Sequence, residues 1–424
     1  MKSLALLYLV ASLLVSGQNA SSPQLPSTRA GRPLPQQLAR AAADERIRLY
    51  QQALAASPDD RQSQLGLVSA YLQKLRESGD FNYLDRAARL IDQVLEKDGG
   101  DFAALRFENE IDLERHDFKA VAERAESMLQ YAPSDPGLWG NLGDAAMELG
   151  EYERAGKAYL KMFALRPNLA SYNRLAWFHF VTGDPSGAIR LMSAAVQAGE
   201  AQPENVAWCS AELGDIYFKT GRLEEAADAY RAALDAFPKL HRALAGLGKI
   251  GAARGEIDRA IQSFERAQSI VPLVEYAAAL EQLYSAAAKP AKAREQRALI
   301  EAIERLGKAA NEKTNRNLAL VLADRKTDLP LALDLMRAEI PVRGDVYTWD
   351  ALSWVLFSDG QLEEAKTAMA KALKLGTPEP LFYYHASRIA SASGDLNAAR
   401  EYSNRLMSLN ARFDFGKSFP SPNQ

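Results

Sequence analysis

The sequence predicts an all-α protein, a right-handed superhelical solenoid of about ten antiparallel helix pairs, and three observations carry that prediction. Apolar residues recur at helical spacing from Arg40 onward, with few β-branched runs. Gly-Asp, Gly-Glu and Gly-Arg dipeptides punctuate the chain at regular distances, the mark of tight turns between helices. An alanine keeps register with those turns at Ala155, Ala188, Ala226, Ala260, Ala293, Ala332, Ala365 and Ala399, at intervals of 33 to 39 residues. Counting back by 34 from Ala155 reaches Val121 and then Ala87, which completes ten pairs.

Composition agrees and narrows the chemistry. Over 424 residues, 47% are hydrophobic and 25% charged, with 26 Gly and 19 Pro, a balance that excludes collagen, extended disorder and a polytopic membrane protein. Lys and Arg total 51 against 54 Asp and Glu, a net charge of -3 that argues against an electrostatic nucleic-acid binder. One cysteine and four histidines leave no internal disulfide framework and no Cys-rich zinc site.

In chain order, Lys2 and the apolar run Leu4 to Val15 have the layout of a secretory signal peptide, residues 1–17, cleaved after Gly17 with Ala20 as the alternative. The run is too short to span a bilayer comfortably, so a periplasmic or secreted chain with no stable membrane span is expected. Residues 18–36 hold Pro23, Pro26, Pro33 and Pro35 among Ser, Gln and Gly and read as a flexible linker. Residues 37–60 form a lone capping helix with Tyr50, Ala53 and Pro58 at second-helix offsets. The repeat array follows over 61–412. Its first pair carries extra residues between Leu75 and Leu84, and the stretch 273–345 is degenerate, lacking most large aromatics and terminal prolines, which predicts longer helices or a kink. Residues 413–424, with Pro420 and Pro422, read as a disordered tail.

The clearest unit runs from Pro136 to Pro167, with Trp139, Leu142, Gly143, Gly150, Tyr152, Ala155, Tyr159 and Pro167 at fixed offsets. Two more share the spacing through Gly214, Gly221, Ala226, Tyr230 and Pro238, and through Gly248, Gly255, Ala260, Phe264 and Pro272. Small residues where two helices cross let the backbones approach, so Ala155, Ala226 and Ala260 should face Gly143, Gly214 and Gly248. The aromatics then fill space against the next pair, and the prolines stop the second helix. This pattern resembles the tetratricopeptide repeat. The resemblance implies protein or peptide ligands held in a concave groove, and roles in envelope assembly or secretion. Asn141, Arg174 and Glu212 at equivalent inward places match neither the carboxylate-clamp set nor the asparagine ladder found within that family.

Catalytic motifs are wanting. Gly246-Leu247-Gly248-Lys249-Ile250-Gly251 spells a G-x-G-x-x-G string, but no strand precedes it and its glycines coincide with helix positions. His116, His179, His241 and His385 fall in separate repeats or turns, and Cys209 has no histidine near it in sequence. Glu224-Glu225 and Glu363-Glu364 open second helices, where they favour the helix dipole. A non-enzymatic chain with no cofactor or metal is therefore expected. Inward offsets of the first helices instead carry Trp177, Phe180, Trp208, Phe218, Tyr347, Trp354, Phe357 and Tyr384, the candidate partner-binding residues, with packing between first helices as the competing reading. Aromatic platforms also suit a polysaccharide, the alternative partner.

Overall fold

The computed structural model describes residues 42–199, 202–309 and 314–413, and over these the chain is twenty-one α-helices without a strand. The expected signal peptide, linker and tail beyond 413 fall on residues outside those described. A lone helix, α1 (Ala43–Ala56), precedes ten antiparallel pairs. The first five are α2 (Arg61–Ser78) with α3 (Asn82–Lys97), α4 (Phe102–Glu114) with α5 (Phe118–Tyr131), α6 (Pro136–Glu148) with α7 (Tyr152–Leu165), α8 (Leu169–Val181) with α9 (Pro185–Ala198), and α10 (Pro203–Lys219) with α11 (Leu223–Ala236). Next come α12 (His241–Ala253) with α13 (Ile257–Ile270), α14 (Val274–Ala286) with α15 (Pro290–Ala309), and α16 (Arg316–Arg325) with α17 (Leu329–Glu339). The last two are α18 (Val346–Ser358) with α19 (Leu362–Ala372), and α20 (Pro380–Ala392) with α21 (Leu396–Asn410).

Local chemistry fixes the boundaries. The side chains of Asp60, Asp101, Asp135, Asp184 and Asp345 accept hydrogen bonds from first-turn N–H groups, and Asn168 and Ser171 form a reciprocal capping box. The extra residues of the first pair lengthen α2, which ends at Gly79 in the left-handed region. The degenerate stretch departs from the unit length in both directions. α15 runs for 20 residues, whereas α16 and α17 shorten to 10 and 11.

Within a pair the contact differs from the expected one. The ring of Tyr159, not Ala155, lies against Gly143; a Cβ on Gly214 would come 2.7 Å from Tyr230, and one on Gly248 would come 2.6 Å from Phe264. A flat ring fills the crossing more completely than an alanine methyl, and the glycine supplies the room. Tyr230 also lies over Gly246 of the next pair, so one ring couples two repeats. Tyr50 stands in the same relation to Gly66, which makes α1 the second helix of a half repeat.

Polar groups tie pairs together as well. The Tyr159 hydroxyl donates to Asp144 Oδ1 at 2.8 Å while Arg174 of the next first helix clasps that carboxylate at 2.9 to 3.1 Å. Tyr230, Asp215 and Arg242 repeat the arrangement at 2.6 and 2.8 Å. Burial raises the Asp144 pKa against the pull of Arg174. At Asp215 burial works in the same direction, but Lys249, Arg242 and Lys219 together hold the carboxyl below its ordinary value.

The array winds until it meets itself. The turn joining the two helices of one pair abuts the junction that follows the pair five places later. A Cβ on Gly79, between α2 and α3, would lie 3.1 Å from Val271 after α13. Gly150 abuts the Gly344 carbonyl after α17, Gly183 meets Leu375 and Gly376 after α19, and a Cβ on Gly221 would sit 2.7 Å from Leu409 O at the end of α21. Hydrogen bonds stitch the same seam: Val346 N–H donates to Tyr152 Oη at 2.8 Å, Thr377 Oγ1 to Val181 O at 2.6 Å and Asn410 Nδ2 to Phe218 O at 2.6 Å.

Candidate partner-binding surface

The first helices of successive pairs stand side by side and supply the inner surface, and the eight aromatic candidates fall into separate environments on it. Trp177 stacks between Phe180 and Tyr347, each at 5.8 Å between ring centroids. The Lys219 ammonium sits 5.2 to 5.6 Å from all three rings and 2.8 Å from Glu379. An aromatic cage for a cation is thus assembled and filled by the chain's own lysine, across the seam between windings. Trp354 stacks on His385 at 4.1 Å and on Phe357 at 5.2 Å, tilts against Tyr384, and its indole N–H donates to Asp324 at 2.7 Å.

Exposure separates the candidates. Phe180 is 0%, Phe218 3% and Trp354 7% exposed, so these three pack inside the protein, and their assignment to a free groove is corrected. The physical reason for Phe180 is packing within its own pair and against the next first helix, among Met192, Cys209 and Ile216; Phe218 is covered by Phe413 at 6.3 Å, and Trp354 by His385 and Phe357. Trp177, Trp208, Tyr347, Phe357 and Tyr384 remain half-buried. Trp208 carries the Arg242 guanidinium 4.2 Å over its ring. A small cleft lies along the seam, lined by Met147, Glu148, Tyr152, Trp177, Arg316 and Tyr347 among others.

The structure adds a set of carboxylates that the sequence reading passed over. Glu77, Glu114 and Glu148 occupy the same offset in α2, α4 and α6, two residues before each pair's inter-helix turn, and Glu110 lies one helical turn before Glu114. Glu148 is met by Arg343 at 2.6 Å, and Glu77 accepts from Gln73 Nε2 at 3.0 Å. Among the described residues, Glu110 and Glu114 have no hydrogen-bond or ion-pair partner. Burial pushes both up to about 7, with Arg76 exerting the largest opposing pull. Glu275, at the start of α14, is likewise pushed up to about 7 by burial, and neither of its oxygens has a hydrogen-bond partner. The signal that could have found Glu110 and Glu114 was their offset, counted from Val121.

The remaining candidates resolve singly. Gly246 to Gly251 lie within α12, and Cys209 is buried. His179 contacts Asp184, His241 contacts the Tyr276 hydroxyl and His385 contacts Asp350, at 2.8 to 2.9 Å. Among the described residues no group of three or more His, Cys, Asp or Glu could hold a metal, and no helix is long and apolar enough to cross a membrane.

Comparison with known proteins returns one family. Tetratricopeptide-repeat models match residues 211–275, 168–239, 136–169 and 346–375. Among solved structures, MamA is similar at 24% identity over 40% of this chain and 97% of that one, with a TM-score of 0.33. The human IFIT1 dimer with PPP-AAAA is similar at 15% identity over 87% of both chains, with a TM-score of 0.47. The APC/C hetero-tetramer Cut9-Hcn1 is similar at 13% identity over 82% of this chain and 67% of that one, with a TM-score of 0.40. No curated protein matches.

Proposed function

This is a tetratricopeptide-repeat chain, and from that premise we propose that it is an exported, non-catalytic scaffold that holds a protein or peptide partner against its first helices, in envelope assembly or secretion. The observation that carries the reading is the inner row itself. Half-buried rings at Trp208, Phe357 and Tyr384 and unpaired carboxylates at Glu110 and Glu114 stand on side-by-side helices, supplying apolar anchors and charge. Export rests on the Leu4 to Val15 run.

Two experiments test this. Peptides selected by phage display on the purified chain should slow hydrogen exchange in α4, α10, α18 and α20; protection confined to second helices, or none, would sink the scaffold reading. N-terminal sequencing of the native protein should begin near Gln18, and an intact Met1 on a cytoplasmic pool would refute export.

A further inference from the structure

Resting on that scaffold reading, we propose that the inner face of α16, α18 and α20 seats a peptide segment in which an aromatic side chain stands between a basic and an acidic one. α18 packs between α16 and α20, so the three helices present adjoining strips. Trp354 of α18 links them, donating its indole N–H to Asp324 of α16 at 2.7 Å and meeting the tilted ring of Tyr384 of α20 at 5.8 Å. Phe357, one turn further along α18, stacks on Trp354 at 5.2 Å. Arg388 follows Tyr384 by one turn on the same face of α20. An acid, a ring and an arginine thus run in order across three neighbouring helices.

The charges at the two ends of this path are not spent within the chain. Asp324 and Arg388 are both exposed, while Phe357 between them is half-buried and Trp354 is nearly covered. Among the described residues Asp324 pairs with no cation, and Arg388 has neither an ion-pair nor a hydrogen-bond partner. The one bond Asp324 makes, to the indole, uses Oδ1 and leaves Oδ2 for a donor from outside. Inner charges elsewhere are committed: Arg174 to Asp144, Arg242 to Glu212 and Asp215, and Lys219 to Glu379. The cluster around Trp177 is filled by Lys219, whereas the one around Trp354 ends in an open carboxylate on one side and an open guanidinium on the other.

Spacing sets the length of the occupant. Packed helices lie about 8–10 Å apart, so Asp324 and Arg388, on the outer two of three, are separated by roughly 16–20 Å. An extended chain advances about 3.3 Å per residue, so about six residues carry a basic side chain on Asp324 to an acidic one on Arg388, with an aromatic residue midway against Phe357. The forked donors of Arg388 suit a carboxylate, which they can hold through two hydrogen bonds. The ring contact supplies affinity, and the opposite end charges select against a peptide of a single sign.

Fluorescein-labelled octapeptides, followed by anisotropy at constant ionic strength, provide the test. The peptide Lys-Lys-Gly-Phe-Phe-Gly-Glu-Glu is compared with relatives that carry lysine at both ends, glutamate at both ends, or serine in place of the phenylalanines. The mixed peptide should bind saturably, at least about threefold tighter than either single-sign peptide. It should bind at least about tenfold tighter than the serine peptide. Arg388→Gln should abolish its advantage over the all-lysine peptide. Asp324→Asn, which keeps an acceptor for the Trp354 indole, should abolish its advantage over the all-glutamate peptide. Arg231→Gln, on the exposed face of α11, should leave every ratio unchanged. All three variants alter exposed side chains, so they fold, as their thermal melts will record. No saturable binding, a single-sign peptide bound as tightly as the mixed one, or selectivity that survives Arg388→Gln and Asp324→Asn would each overturn the proposal. Peptides from phage display that protect α4 and α10 yet bind both variants normally would overturn this site while leaving the scaffold reading intact.

Discussion

The phenol oxygen of Tyr152 accepts a hydrogen bond from the backbone N–H of Val346 at 2.8 Å, across 194 residues of chain. The turn joining α6 to α7 is thereby fastened to the start of α18, and repeats that contact only their sequence neighbours in an open array acquire a second set of neighbours here.

The seam makes the turn glycines unequal. Gly150 and Gly255 have φ of 76° and 75°, so alanine at either strains the backbone by about 1–2 kcal/mol. Gly255 has open space beside it, whereas a Cβ on Gly150 runs into the Gly344 carbonyl. Urea unfolding should show Gly150→Ala losing at least about 1 kcal/mol more than Gly255→Ala. Equal losses would mean that the windings are apart in solution.

Stability should also follow the inner carboxylates. Burial lifts Glu110, Glu114 and Glu275 from an ordinary 4.5 to about 7 in the folded chain. Between those values the folded state binds more protons than the unfolded one, so these groups lower stability as pH rises from about 4.5 to 7 and leave it unaffected below. Glu110→Gln/Glu114→Gln should flatten the decline of the melting temperature across that window. Parallel profiles for variant and parent would show that these side chains ionise freely.

The two inward tryptophans should behave differently. Trp354→Ala removes a ring that is 7% exposed, stacked on both His385 and Phe357 and bonded to Asp324, and should cost about 3–5 kcal/mol. Trp208→Ala, at a half-buried ring, should cost about 1–2 kcal/mol. Matching losses by chemical denaturation would place Trp208 in the core as well.

Local opening should concentrate in the degenerate stretch. Only Ala293, Ile300 and Gly307 are buried among the 20 residues of α15, against six of 14 in α7. Amides of α15 should therefore exchange faster than those of α7. Equal protection would contradict a weak middle.

Ten pairs and a cap were legible because most repeats share the same local solutions: a small residue at Ala155 and its equivalents, a glycine turn, and in several an aspartate cap. Tyr50 marked α1 as a half repeat for the same reason. The approach of Gly150 to Gly344 left no such trace, since it arises from small rotations summed over five pairs. Trp177 therefore read as a ligand contact, although Lys219 and Tyr347 fill its surroundings. Glu110 and Glu114 went unnoticed because their repeat carries Val121 in place of the register alanine and matches the consensus poorly.

The five-pair offset bears on how such a chain can change in length. In an open array, duplicating one unit adds length and leaves the remaining contacts as they were. Here a unit duplicated between α8 and α17 would bring the α6–α7 turn opposite the junction after α15 in place of the one after α17. Tyr152 would lose Val346, and Glu148 would lose Arg343. Copy number is thus locked by the winding, and this lineage can gain or shed units without penalty only where no later turn lies against them.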